Sequence, residues 1–146
     1  STPAEDVPQA RETLAQIEEA CAESPLPEAR IRDDLREIEL HHWEGRLKTE
    51  IAEAEKDGWA LWRRDPPAYV TPSGAKPLPA LWERAVGNWA ALRAAAPGDG
   101  AVLVVSHGAL GRCMVAAALG GGIDTFRTPK FGFDNCNRPR GIPRRA

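Results

Sequence analysis

The chain has 146 residues, 42% hydrophobic and 27% charged, which is the composition of one soluble globular domain and does not call for a second. Its apolar runs fall well short of the roughly 20 residues that span a bilayer, so no membrane span is predicted. Three cysteines, an odd number without C-x-x-C spacing, support neither a disulfide framework nor a zinc knuckle, and they favour a reducing compartment.

Net charge is only −2, but it is unevenly distributed along the chain. Residues 1–57 hold 16 acidic and 7 basic side chains, whereas residues 58–146 hold 5 and 12. The last twenty residues carry six lysines and arginines against one aspartate. This basic end is either a solvated terminus or a contact for a polyanion.

The first half of the chain predicts one clear helix and little else. Apolar residues recur at spacings of three and four over residues 4–22, as in an amphipathic helix. The following stretch, residues 31–46, has no clean periodicity, and we expect a short strand near Ile31 and then an ordered loop. A second helix is expected from about Arg46 to Lys56.

Residues 65–79 contain five prolines and a glycine, which predicts a loop. A long helix follows, ended by the sequence PGDG at residues 97–100. Trp82 and Trp89 are expected on its buried face. The helix is indicated by apolar residues at spacings of four and three: Leu78, Trp82, Ala85, Trp89 and Leu92.

Residues 101–105 form a short apolar run rich in β-branched side chains, the pattern of a strand buried in a parallel sheet. A helix is predicted directly after it, over residues 109–119. This order predicts an α/β fold with His107 at the carboxyl edge of the strand, where open α/β sheets bind ligands. Further short strands are expected near residues 31, 69 and 131.

His107 lies between the predicted strand and the predicted helix. A helix amino terminus offers free N–H groups and a partial positive charge, both of which suit a phosphate. Gly108 lets backbone approach a ligand closely, and Ser106 can hydrogen-bond locally. The tripeptide alone equally fits a histidine that merely caps a strand end.

The other two histidines, His41 and His42, are adjacent, so their side chains diverge in any regular element. No nearby carboxylate–histidine spacing resembles a zinc motif. We therefore predict neither a metal site nor a cofactor.

Longer segments carry a resemblance to a known family. LREIELHHWEG (residues 35–45) and, far downstream, VLVVSHGAL (residues 102–110) resemble the histidine phosphatase, or phosphoglycerate-mutase-like, superfamily. Three further segments are similar to its plant-type carboxyarabinitol-phosphatase-like branch: GWALWRRDPPAYV, PLPALWERAVGNWAAL and FRTPKFGFDNCN.

The resemblance implies phosphoryl transfer through a phosphohistidine. It makes Glu37 the proton donor and His107 an electrostatic clamp on the phosphate oxygens, with the amides near Gly108 and Ala109 assisting. It also implies a three-layer α/β fold. Without the family, Glu37 would be one more acidic surface residue.

Parts of the family pattern are absent from these 146 residues. No R-H-G motif, which carries the nucleophilic histidine in the family, occurs among them. Gln9 stands where the family has a phosphate-binding arginine, although Arg11 is near. We therefore expect an incomplete fold that lacks its first strand and a clear last strand. Residues 1–136 would form a partial domain, and residues 137–146 a basic irregular tail.

Three functions remain open at this point. The complete protein is a phosphatase acting on a small sugar phosphate, or a catalytically inactive relative that binds within a larger assembly, or, least favoured, a polyanion-binding protein. The expected partners are a small phosphorylated metabolite and a protein that completes the sheet; nucleic acid is not expected. The resemblance implies the chloroplast stroma, with the cytoplasm as the alternative.

Overall fold

The computed structural model describes residues 6–96 and 98–128. Over these residues the chain folds into five α-helices joined by loops and short 3-10 turns. The helices are α1 (Asp6–Ala20), α2 (Lys48–Ala54), α3 (Lys56–Arg64), α4 (Pro77–Ala95) and α5 (Gly108–Ala118). The 3-10 turns are Asp33–Leu35, His41–Trp43, Pro66–Ala68 and Ile123–Arg127.

The prediction of a three-layer α/β fold is wrong for this part of the chain, because residues 6–96 and 98–128 contain no strand. Two of the expected strands are replaced by 3-10 turns, one just after Ile31 and one just before Tyr69. The strand expected near residue 131 and the tail at 137–146 lie outside the described residues.

The apolar run at residues 101–105 is not a strand either. A strand exists only where a neighbouring strand satisfies its N–H and C=O groups, and the described residues offer no such neighbour. Val102 and Leu103 are 44% and 56% exposed, so the run is not buried on two faces. Its β-branched composition indicated a strand, but composition does not supply the partner.

The structure confirms four predicted helices. The helix expected over residues 4–22 is α1, and those expected after residues 78 and 109 are α4 and α5. The helix expected from Arg46 to Lys56 is confirmed as the shorter α2. The sequence did not predict α3, which begins immediately after α2. In the described residues no helix is both long and apolar enough to cross a membrane.

The main core lies between α4 and α5, which pack against each other. Proline at the first helical position suits the start of α4, since its fixed φ is helical and its missing N–H is not needed there. The two tryptophans expected as core anchors, Trp82 and Trp89, are only half-buried. The buried core residues are Leu78, Leu81, Ala85, Leu110, Cys113, Met114 and Phe126.

The carboxyl end of α5 is closed by Gly120, whose φ of 75° lies in the left-handed region that favours glycine. Its N–H donates to the Ala117 carbonyl at 3.0 Å, and the Gly121 N–H donates to Ala116 at 2.9 Å. This pair of bonds is a Schellman motif, which satisfies two of the free carbonyls at the helix end.

A second core is aromatic and lies around α2 and α3. Trp43 and Tyr69 are buried and stack with ring centroids 4.9 Å apart. Trp62 on α3 meets Tyr69 edge-on at 5.6 Å and also reaches Phe126 of the main core at 6.5 Å. The Arg127 guanidinium lies 5.8 Å from the centre of the Trp62 ring. Trp62 therefore belongs to both cores.

Candidate functional site

The candidate site forms where Glu37 meets the first turn of α5. Glu37 Oε2 accepts a hydrogen bond from the Ala109 N–H at 3.1 Å, and Oε1 accepts one from the Leu110 N–H at 3.2 Å. Oε1 also accepts the N–H of the next residue, Ile38, at 2.9 Å. Three backbone donors thus hold one half-buried carboxylate.

This contact satisfies a general need of helices. The first four N–H groups of a helix have no partner within it, and its amino terminus carries a partial positive charge. The Glu37 side chain caps two of these donors on α5 from 72 and 73 residues away. An anionic group is thereby stabilised at the place where the sequence predicted a phosphate-binding helix terminus.

His107 immediately precedes α5 and occupies its N-cap position, with φ −111° and ψ 164°. Its carbonyl accepts the first helical bond, from the Gly111 N–H at 2.9 Å. The imidazole is half-buried and forms no hydrogen bond with any residue that the structure describes. Gly108 is exposed, and a Cβ there would meet nothing within 4 Å. The structure therefore brings Glu37, His107, Gly108 and Ala109 to one end of α5.

Two polar side chains of α4 hold the backbone that carries Glu37. Arg84 donates to the carbonyl oxygens of Asp34 at 3.2 Å, Arg36 at 3.0 Å and Glu37 itself at 3.0 Å. Asn88, one turn further along α4, donates to the Asp34 carbonyl at 2.9 Å and is only 2% exposed. Residues 34–37 have no regular structure to order them beyond one 3-10 turn, so these bonds fix the segment.

Ser106 adds a further tie between the two halves of the site. Its hydroxyl donates to the Leu35 carbonyl at 2.8 Å, so the residue before His107 is joined to a residue two before Glu37. A serine at this position can cap or bond locally, but the partner of Ser106 is 71 residues away. The bond sets the distance between the segment before α5 and the segment before Glu37.

Cys113 lies beneath the site on the buried face of α5 and is fully buried. Burial raises the pKa of its thiol to about 12, the Glu37 carboxylate adds to the rise, and the Arg84 guanidinium opposes it. A thiol with this pKa is neutral at physiological pH and does not serve as a nucleophile.

His41 and His42 do turn to different partners, as their adjacency predicts. His41 Nδ1 lies 3.0 Å from a Glu44 carboxylate oxygen at the surface, whereas His42 Nε2 lies 2.7 Å from the Tyr69 hydroxyl. Within the described ranges, no three His, Cys, Asp or Glu side chains are grouped so that they could hold a metal ion. Neither histidine shares a hydrogen bond or ion pair with Glu37.

Gln9 and Arg11, the residues nearest the family's second arginine, lie on the exposed surface of α1. In the part of the chain that the structure describes, no hydrogen bond or ion pair joins either side chain to Glu37 or to residues 106–110. The structure thus brings together two of the sequence-predicted elements, at Glu37 and at His107, and leaves the third apart.

Sequence reasoning missed Arg84 and Asn88. Both lie within the segment PLPALWERAVGNWAAL, and neither was assigned a role from its sequence. A signal was present: Leu81, Ala85 and Asn88 follow each other at spacings of four and three, which places the asparagine on the buried face. A buried amide needs a hydrogen-bond partner, and its presence indicates a backbone segment to bind.

Comparison with known proteins identifies the family. Residues 6–138 match the family model of the histidine phosphatase superfamily (branch 1). One relative is the "Probable 2-carboxy-D-arabinitol-1-phosphatase" of Arabidopsis thaliana, 36% identical over 95 residues, or 65% of this chain and 19% of that protein. Another is the "2-carboxy-D-arabinitol-1-phosphatase" of Triticum aestivum, 35% identical over 130 residues, or 79% of this chain and 26% of that protein.

The chain therefore spans about a fifth to a quarter of the length of these relatives. No solved structure gives a significant match. The family match, by contrast, extends over most of the 146 residues and includes both Glu37 and His107. The chain belongs to the histidine phosphatase superfamily, branch 1.

Proposed function

We propose that the complete protein hydrolyses a small sugar-phosphate monoester through a phosphohistidine, and that this chain contributes the proton donor Glu37 and the phosphate clamp His107. The substrate class follows from the names of the two plant relatives, and 2-carboxy-D-arabinitol 1-phosphate is the first compound to test. The observation that supports the proposal best is the Glu37 carboxylate bound at the start of α5, beside His107.

In the first step, an imidazole nitrogen from a part of the protein outside this chain attacks phosphorus, and the bond from phosphorus to the sugar oxygen breaks. The sugar oxygen takes a proton from Glu37 and leaves as the alcohol. Charge on the three equatorial phosphate oxygens is met by His107 and by the Gly108 N–H, since the Ala109 and Leu110 N–H groups are bonded to Glu37. Water then attacks the phosphohistidine and returns a proton to Glu37.

The hydrogen bonds of Glu37 distinguish its two carboxyl oxygens. Each carboxylate oxygen has two lone pairs. Oε1 uses both, for the N–H groups of Ile38 and Leu110, whereas Oε2 accepts only the N–H of Ala109 among the described residues. The remaining lone pair of Oε2 is the one available to hold a proton for the leaving oxygen.

The test is release of inorganic phosphate from 2-carboxy-D-arabinitol 1-phosphate and other sugar phosphates by the full-length protein. Glu37→Gln should lower kcat by about 10²–10⁴-fold, the usual contribution of a general acid. His107→Ala should weaken binding and turnover together. His41→Ala is the matched histidine control, because His41 is exposed and bonded to Glu44.

Acid-labile, alkali-stable labelling of the protein by a radioactive substrate would further support the phosphohistidine step. Phosphate release that His107→Ala and Glu37→Gln leave unchanged would refute the assignment of these two residues.

One observation favours a second candidate, a relative that no longer hydrolyses phosphate and acts as a binding domain. The two amides at the start of α5 are already occupied by the chain's own Glu37 carboxylate, in the manner of a phosphate oxygen. An inactive domain would retain this contact for stability alone. Full-length protein that folds but releases no phosphate from any sugar phosphate would favour this candidate over the first.

A further inference from the structure

We propose that Arg84 is a positioning residue that sets the Glu37 carboxyl in place for proton transfer, acting through backbone and not through substrate. The inference rests on the proposed function, since it concerns how the same proton donor is held.

The first observation is the number and type of bonds that one side chain makes. The Arg84 guanidinium reaches from α4 to three carbonyl oxygens of one short segment, those of Asp34, Arg36 and Glu37, at 3.0–3.2 Å. Guanidinium is a planar group with five N–H donors in a fixed arrangement, so it can hold several acceptors in one geometry. One of the three carbonyls belongs to the proton donor itself.

The second observation is that Arg84 has no ion-pair partner among the residues that the structure describes. The structural role of this half-buried arginine is therefore to donate hydrogen bonds to the three carbonyl oxygens. Asn88 supports the same segment one turn later, so α4 holds it at two points. Both points lie on the helix that packs on α5.

Glu37 is therefore held at both of its ends. Its carbonyl is bound to α4 through Arg84, and its carboxylate is bound to the start of α5. Because α4 and α5 share one core, the two anchors keep a constant distance. Loss of Arg84 frees one anchor, and a displacement of about 1 Å at a reacting group can cost about 10²-fold in rate.

The experiment compares two substrates on full-length Arg84→Ala, Arg84→Lys and Arg93→Ala. A sugar phosphate has an alkoxide leaving group that needs the proton from Glu37. The leaving group of p-nitrophenyl phosphate is p-nitrophenolate, which needs little help from a proton donor. Arg93 is an exposed arginine near the end of α4 and serves as the matched control.

We expect Arg84→Ala to lower kcat at least 10-fold more for the sugar phosphate than for p-nitrophenyl phosphate. For Arg84→Lys, the difference between the two kcat losses should lie between those of wild type and Arg84→Ala, because an ammonium lacks the planar guanidinium that reaches three carbonyls. Arg93→Ala should leave both rates unchanged. The ratio of the two rates is taken on one protein sample, so it is independent of how much of a variant is folded.

A second readout needs no activity. In protein labelled with ¹⁵N at alanine and leucine, the amide resonances of Ala109 and Leu110 report the hydrogen bonds to Glu37. Glu37→Gln and Arg84→Ala should both move them, and Arg93→Ala should not.

Equal loss on both substrates, or Ala109 and Leu110 resonances that Arg84→Ala leaves in place, would overturn the inference about Arg84. Absence of any hydrolysis by the wild-type protein would instead overturn the proposed function, and the amide resonances would then decide alone whether Arg84 positions Glu37.

Discussion

The Ser106 hydroxyl and the Leu35 carbonyl, 71 residues apart in the chain, are joined by a hydrogen bond of 2.8 Å. It links the segment before α5 to the segment before Glu37, and both groups are half-buried.

Ser106→Ala should lower the free energy of unfolding by about 1 kcal/mol, because the Leu35 carbonyl loses its donor in a place where water reaches it poorly. Chemical denaturation of the two proteins measures the difference. Ser24→Ala is the control, since Ser24 is exposed and its hydroxyl makes no hydrogen bond with a described residue. An equal effect of both substitutions would show that the bond to Leu35 contributes nothing.

Acid should destabilise the protein in part through Glu55. The Trp43 indole N–H, at 2.9 Å, and then the Arg46 guanidinium hold the pKa of the Glu55 carboxyl below its usual value. A carboxyl whose pKa is lower in the folded state stabilises the fold above its unfolded pKa, and this stabilisation is lost as pH falls through the folded one.

Between pH 7 and pH 3, the Tm of Glu55→Gln should therefore fall less steeply than the Tm of the wild-type protein. Glu53→Gln, an exposed change in α2 two residues before Glu55, should follow the wild-type curve. Parallel curves for wild type and Glu55→Gln would contradict the pKa assignment.

Alkylation should distinguish the cysteines. Cys113 is fully buried and its thiol has a pKa raised to about 12, so it should resist iodoacetamide in the folded protein at pH 8. Cys21 is half-exposed and should react. In a Cys136→Ser background, intact mass should show one adduct under native conditions and two in denaturant. Two adducts on native protein would show that α5 opens readily.

Two glycine-to-alanine substitutions should change the free energy of unfolding in opposite directions. Gly120 has a φ of 75°, which alanine adopts only with strain, so Gly120→Ala should cost about 1 kcal/mol. Gly87 lies exposed within α4, where an added Cβ meets nothing within 4 Å. Gly87→Ala should stabilise the protein by about 0.5–1 kcal/mol. Thermal unfolding of both variants measures the pair, and a shared sign would contradict the assigned backbone conformations.

Helices were predictable here because their signal is local. The three-and-four spacing along α4 and the glycines that follow α5 define both elements without reference to the rest of the chain. The run at residues 101–105 shows the limit of such reasoning. Apolar, β-branched residues favour an extended backbone, but a strand also needs a neighbour, and no pattern within five residues specifies one.

The site was partly predictable for a different reason. Glu37 and His107 came from motifs of a resembling family, and the structure brings Glu37 to the residues directly after His107. Arg84 was not predictable from spacing, because its partners are backbone carbonyls, which every residue type has. A side chain that binds backbone leaves no complementary residue in the sequence to indicate it.

Trp62 has a consequence for the whole molecule, since its ring contacts Tyr69 on one side and Phe126 on the other. Trp62 thus packs against both the aromatic core around α2 and α3 and the core between α4 and α5. Neither core can lose its packing without exposing the Trp62 ring to water. The two cores should therefore unfold in one cooperative transition. The segment that carries Glu37, anchored to α4 and α5, then draws its stability from residues far from it, including the hydrogen-bonded pair of His42 and Tyr69.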